Sequence, residues 1–166
     1  MPSDSALTVR LEGVDELRKA LADASASIRK KAVRSALRKA AAVIQREARA
    51  NAPVLMVPTP RRNTGTVKRR ISVRASKFAR AGGNEGVYVS VKPLSGKGDT
   101  SRFGKRGAKN PNDPYYWWFL EFGTKKMAKR PFLGPAAESK GNEAIATFMK
   151  MVVPQIERLN NRVGRK

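Results

Sequence analysis

The stretch from Ser25 or Ser27 to Arg49 constrains the fold most. Ile28, Ala32, Ala36 (or Leu37), Ala40, Val43 (or Ile44) and Ala48 recur at steps of three to five residues. That spacing lays one apolar stripe along a helix. Its alanines favour helix and let another element approach closely. Arg29, Lys30, Arg34, Arg38, Lys39, Arg46 and Arg49 fall mainly off the stripe, as either a phosphate-binding face or a solvated one. Asn51 and Pro53 should end the helix. Upstream, Leu7, Val9 and Leu11 alternate with Thr8, Arg10 and Glu12, the period of a half-buried strand. Gly13 breaks it. Val14, Leu17 and Leu21, with Asp15 and Glu16 where a helix start favours negative charge, predict a short helix over 14–23.

Downstream, Pro53, Pro58, Pro60 and Gly65 mark a loop. Ile71, Val73 and Ala75 alternate with Ser72 and Arg74, predicting a strand over 66–76. Gly82, Gly83 and Asn84 make a turn, and Val87, Val89 and Val91 give the next strand. The two strands should form an antiparallel hairpin with a long basic connection. Residues 93–114, rich in Gly, Pro and basic groups, read as a long surface loop, expected to be mobile. Tyr115 to Thr124 fits either a strand or a short helix. Pro135 can open a C-terminal helix, carried on by Ile145, Phe148 (or Met149), Val152, Ile156 and Leu159; Pro154 should kink or interrupt it. The expected fold class is α+β. A small antiparallel sheet of three to four strands is packed on one side by the Ala-rich helix and the C-terminal helix, with long basic loops. One domain over 1–160 is followed by a basic tail, 161–166.

Charge narrows function. Lys and Arg total 35 against 13 Asp and Glu, a net +22. The excess is greatest in the middle of the chain, so it is not a detachable tail. Such a field attracts nucleic acid or acidic protein surfaces, unless it is simply a solvated surface. With no Cys and no His, disulfides, thiolate chemistry, Cys/His zinc sites and His-based acid–base catalysis are excluded. No apolar run approaches the ~18 residues that span a bilayer. The opening MPSDSALTVR lacks a signal-peptide pattern, so a soluble protein made in a cytoplasm is expected. No phosphate-cradling loop is present, and acids in 53–130 are limited to Glu85, Asp99, Asp113 and Glu121. No catalytic residue, metal or cofactor is expected.

Tyr115-Tyr116-Trp117-Trp118-Phe119-Leu120-Glu121-Phe122 is the most unusual local feature. Such residues can be core, anchor a protein interface, or stack on bases in a basic groove. Glu121 is a lone acid among aromatics. If buried it must find partners, with Arg130, Lys125 and nearby backbone N–H groups as candidates, and would anchor the Gly123-Thr124 turn. Otherwise it is an exposed acid.

Several short patterns occur together in order. Val9-Arg10-Leu11-Glu12-Gly13-Val14-Asp15-Glu16-Leu17 couples a strand to a helix start. Arg49-Ala50-Asn51-Ala52-Pro53-Val54 ends the Ala-rich helix. Thr64-Gly65, Val67 and Ile71 follow. Glu121-Phe122-Gly123-Thr124 then precedes Lys126-Met127 and Arg130-Pro131-Phe132-Leu133-Gly134-Pro135-Ala136. From about 7 to 155 this order resembles the tail-component, tail-completion family of long-tailed bacteriophages, related to the lambda-type minor tail protein Z. Leu55 to Asn63 intervene where that family carries Asp-Thr-Gly directly after Pro-Val. The resemblance implies a non-catalytic virion protein at the head–tail interface, commonly a six-membered homo-oligomeric ring. Its partners would be the head connector or adaptor, tail-terminator and tail-tube proteins, and genome DNA in the lumen, with no membrane and no small-molecule substrate. Trp117, Trp118, Phe119, Glu121, Phe122, Pro131 and Phe132 are the expected subunit interface. Arg61, Arg62, Arg69, Arg70, Lys105, Arg106 and Lys109 are the expected contacts to DNA or an acidic partner. A tail terminator or assembly factor, or a free nucleic-acid-binding protein, are the alternatives.

Overall fold

The computed structural model describes residues 14–60, 62–94, 107–108 and 110–163. The strand expected over 7–11 lies outside them. The short N-terminal helix is α1 (Val14–Asp23), and the alanine-rich stretch is α2 (Ala26–Asn51). Ala52, before Pro53, turns to extended backbone (φ −62°, ψ 125°), as a residue preceding proline must.

Next come α3 (Thr66–Arg70), β1 (Ile71–Ala75), α4 (Lys77–Ala81), β2 (Val87–Val91), α5 (Trp117–Phe122) and α6 (Leu133–Val163). The expected α+β class is observed, with fewer strands. Among the described residues the sheet is one antiparallel pair, β1 with β2.

The strand expected over 66–76 is helical in its first half. Val67 and Ile71 are both fully buried. Four residues apart, they share a face on a helical turn, where a strand would have to hold Lys68, Arg69 and Arg70 between them in alternation. Gly65 (φ 65°) starts the turn, and its carbonyl accepts the Arg69 N–H at 3.0 Å.

From Ile71 onward the expected hairpin forms in register. Ile71 pairs with Val91, Val73 with Val89 and Ala75 with Val87; Ser72 and Arg74 pair with Ser90 and Tyr88. Strand alternation puts the first three pairs on one face and the other two on the opposite one. The connection is α4, capped by Ser76 Oγ, which accepts the Ala79 N–H at 3.1 Å.

α2 and α6 form the frame. Ile28, Ala32 and Ala36 share a buried cluster with Val152 and Ile156. Ala40 and Val43 share one with Ala144, and Ala48 and Ala52 one with Phe132 and Ala136. The order of these groups makes the helices antiparallel, with alanine facing alanine at two levels. Ala144 is buried where the sequence pointed to Ile145, which is 39% exposed. α6 continues through Pro154. A proline inside a helix costs about 3 kcal/mol. Val152 and Ile156, fully buried on either side of it, contribute roughly 1.5–3 kcal/mol each and offset that cost. α6 runs on to Val163, into the segment expected as a basic tail.

Side chains of α2 tie the hairpin to the frame. Gln45 Nε2 and Arg49 Nη2 both donate to the Ile71 carbonyl at 2.8 Å. Arg34 grips Glu85, just before β2, with Nε and Nη2 at 2.7 and 2.6 Å, a fork-to-fork geometry. Two members of the supposed basic face are therefore structural.

The loop reading of 93–114 does not hold at its end. Asn110, Pro111, Asp113 and Pro114 are buried. Asn63 fastens them, its N–H donating to the Pro111 carbonyl at 3.1 Å and its Nδ2 to Asn112 Oδ1 at 2.7 Å.

The Arg34 hydrogen bonds hold the Glu85 carboxyl below the usual carboxylate range. A group lowered on folding adds stability above its unfolded value of 4.5, and that stability is lost as pH falls through the lower folded value. Glu85→Gln should therefore melt below the parent near pH ~7, with the gap narrowing as the pH falls below 4.5 toward the lowered folded value. Thermal melts over a series of falling pH values check this; a gap that stays constant across the series would contradict it.

Candidate interaction site on the aromatic segment

The aromatic run folds as α5, the helical option of the two that the sequence left open. Its two faces divide cleanly. Trp117 and Leu120 pack against the cluster of Phe132, Ala136, Val91 and Ile71. Trp118, Phe119 and Phe122 point outward, 54%, 42% and 59% exposed. Trp118 and Phe122, one turn apart, hold their rings 4.3 Å centre to centre, and Trp117 meets Trp118 edge-on at 5.0 Å.

Glu121 is buried beneath this face. Its Oε2 accepts the N–H groups of Phe132 (2.9 Å) and Leu133 (3.1 Å), and its Oε1 accepts that of Gly134 (2.8 Å). These N–H groups open α6. A helix start leaves such donors unpaired and carries partial positive charge, so one buried carboxylate satisfies both needs. Pro135 has no N–H to satisfy. Of the partners weighed from sequence, backbone N–H groups are the ones found, and they lie at the start of α6 rather than in the Gly123-Thr124 turn that Glu121 was expected to anchor.

The intervening residues make the clamp reachable. Gly123 sits at φ 76°, ψ −176°, a region essentially reserved for glycine. A Cβ there would lie 3.0 Å from the Met127 carbonyl oxygen and 3.1 Å from the Lys129 nitrogen. Thr124 and Met127 exchange backbone hydrogen bonds at 2.9 and 3.2 Å, and the Arg130 N–H donates to the Leu120 carbonyl at 2.7 Å. The chain thus reverses and presents 132–134 to Glu121.

Of the seven expected interface residues, Trp118, Phe119, Phe122 and Pro131 are exposed. Trp117 is half-buried, and Phe132 and Glu121 belong to the interior. Among the expected cationic contacts, Arg62 lies 4.7 Å over the Tyr116 ring, and Arg69 donates to the Thr64 carbonyl at 2.8 Å. Burial pushes the Tyr116 phenol above its ordinary value, against the opposing pull of Arg62 and Arg69. Arg70 is half-buried at the end of α3. Arg61, Lys105, Arg106 and Lys109 lie outside the described residues. The reading from sequence did not name Lys125, Lys126 and Lys129 as cationic contacts; all three are exposed in and just after the turn that follows α5. Their lack of periodicity gave no signal; only the fold of the turn places them there.

A family model described as "Bacteriophage HK97-gp10, putative tail-component" matches residues 15–123. The chain belongs to this HK97-gp10-like family. No curated protein and no solved structure matches it significantly. The HK97-gp10-like match takes in α1 through α5 and ends at Gly123, two residues past the clamping carboxylate. The donors of the clamp lie beyond it, so this phage tail component carries a physical link between its family-matched region and α6.

Glu121→Gln replaces one acceptor oxygen with a donor facing buried N–H groups. It should cost about 1–3 kcal/mol, lowering the melting temperature by roughly 3–10 °C in a chain of this size. Calorimetry measures it; an unchanged melting temperature would show that the clamp carries no weight.

Proposed function

We propose that this phage tail component is a non-catalytic virion protein of the neck. It completes the tail and joins it to the head connector as one subunit of a homo-oligomeric ring, assembled in the host cytoplasm. The observation that carries this reading is the exposed aromatic face of α5, held rigid from beneath by the Glu121 clamp. A side chain already fixed in place loses little entropy on docking, and Trp and Phe are typical anchors of protein interfaces. The ring itself would use heterologous contacts on other faces of the subunit, which leaves the α5 face for the protein it is joined to. The frame of α2 and α6 supplies a stiff body between these faces. The absence of Cys and His from the sequence suits a role made of contacts rather than turnover.

Arg62 and Arg69, gathered around Tyr116, are the exposed candidates for polyanion contact among the described residues. Binding of the isolated protein to duplex DNA should be weak and nonspecific. Replacing both residues by Ala should make the slope of log affinity against log salt shallower by about two. Fluorescence anisotropy over a salt series reads this, and an unchanged slope removes the pair from the contact.

Particles made without this protein should appear by electron microscopy as separate heads and tails. Normally joined virions would overturn the assignment to the neck.

A further inference from the structure

The surroundings of the aromatic face specify its partner. Lys125 and Lys126 sit in the tight turn that follows α5, and Lys129 and Arg130 come directly after; all four are exposed. The one acid among them and the aromatic run, Glu121, is buried and turned toward the start of α6. Between Pro114 and Ala137 the chain has no other carboxylate. The face is therefore an apolar centre with a cationic rim and no compensating negative charge from its own segment.

Three occupants are conceivable, and the charges separate them. A second copy bringing the same face would set two cationic rims against each other, a like-charge contact that costs several kcal/mol. A second copy bringing a different face fares little better. The chain carries net +22, and the exposed acids among the described residues are Asp15 on α1 and Glu138, Glu143 and Glu157 spread along α6, with Glu143 already held by Lys140 at 2.8 Å. Single-stranded nucleic acid would stack bases on separate open rings, whereas Trp118 and Phe122 cover part of each other. A protein surface with an apolar centre and an acidic border complements both parts at once.

We propose that the outward face of α5, Trp118, Phe119 and Phe122 rimmed by Lys125, Lys126 and Lys129, docks onto an acidic-bordered apolar surface of a different virion protein. This rests on the virion reading above. The rings fill a shallow apolar depression of the partner, and the lysines meet its carboxylates at the edge. The apolar centre sets the lifetime of the contact, and the rim sets its rate of formation and salt sensitivity.

The test places a photo-crosslinker at the centre of the face, as Phe122→p-benzoylphenylalanine, in protein assembled into phage particles. Irradiation of purified particles followed by mass spectrometry of the cross-linked peptides should return a segment of another virion protein carrying net negative charge. Cross-links to this same chain, cross-links to DNA, or none at all would overturn the proposal. Two exposed-site variants give a second reading. Phe122→Ala should lower the amount of protein in purified particles about tenfold or more, at any salt. Lys126→Glu should lower it mainly at low salt, with both melting as the parent does; full incorporation of both would also overturn the proposal. Absence of the parent protein from particles would sink the virion reading together with this one, whereas a protein present but cross-linked to itself or to DNA sinks this one alone.

Discussion

One carboxylate, Glu121, connects the two parts of this molecule that sequence keeps apart. Its oxygens take the N–H groups that open α6, and Phe132 is thereby set fully buried against Ala48, Ala52 and Val91. With that end fixed, α6 can run antiparallel to α2, and alanine meets alanine at two levels. The same hold orients α5, so that Trp117 and Leu120 turn inward and Trp118, Phe119 and Phe122 turn out. The core and the outward aromatic face are consequences of a single hydrogen-bonded arrangement. Gly123 allows it, since the backbone there adopts a conformation that other residues reach only under strain.

Three acids of the chain do structural duty. Glu85 holds Arg34 and so ties the hairpin to α2; Glu121 holds a helix start; Asp113 accepts the Gly107 N–H at 2.9 Å. With those carboxylates engaged internally, most cations stay unmatched at the surface. Three carboxylates thus look inward, while Glu138, Glu143 and Glu157 stay exposed along α6.

Much of the framework was legible because its signals are periodic. The stripe from Ile28 to Ala48 marked α2, and the alternation from Val87 to Val91 marked β2. Residues 66–70 were misread, since Val67 with Ile71 four residues on carries no period and the alternation from Ile71 onward suggested a strand that began earlier. The burial of Asn110 to Pro114 was equally hidden, for it depends on Asn63, far away in sequence. Pro154 warned of a break that packing on both sides overrides. At the candidate site, the aromatic run and Glu121 stood out by composition. The division into inward and outward rings needed the helix to be known, and the lysine rim needed the turn.

The continuity of α6 has a mechanical consequence. Its 31 residues extend about 46 Å at the usual rise per residue. A rotation of about 5° where Glu121 grips it would therefore swing the far end by roughly 4 Å, taking α1 along, because α1 packs there through Leu17 and Leu21. Anything that pulls on the α5 face is thus geared to the opposite pole of the molecule, and an event on one side of the subunit can be felt as displacement on the other.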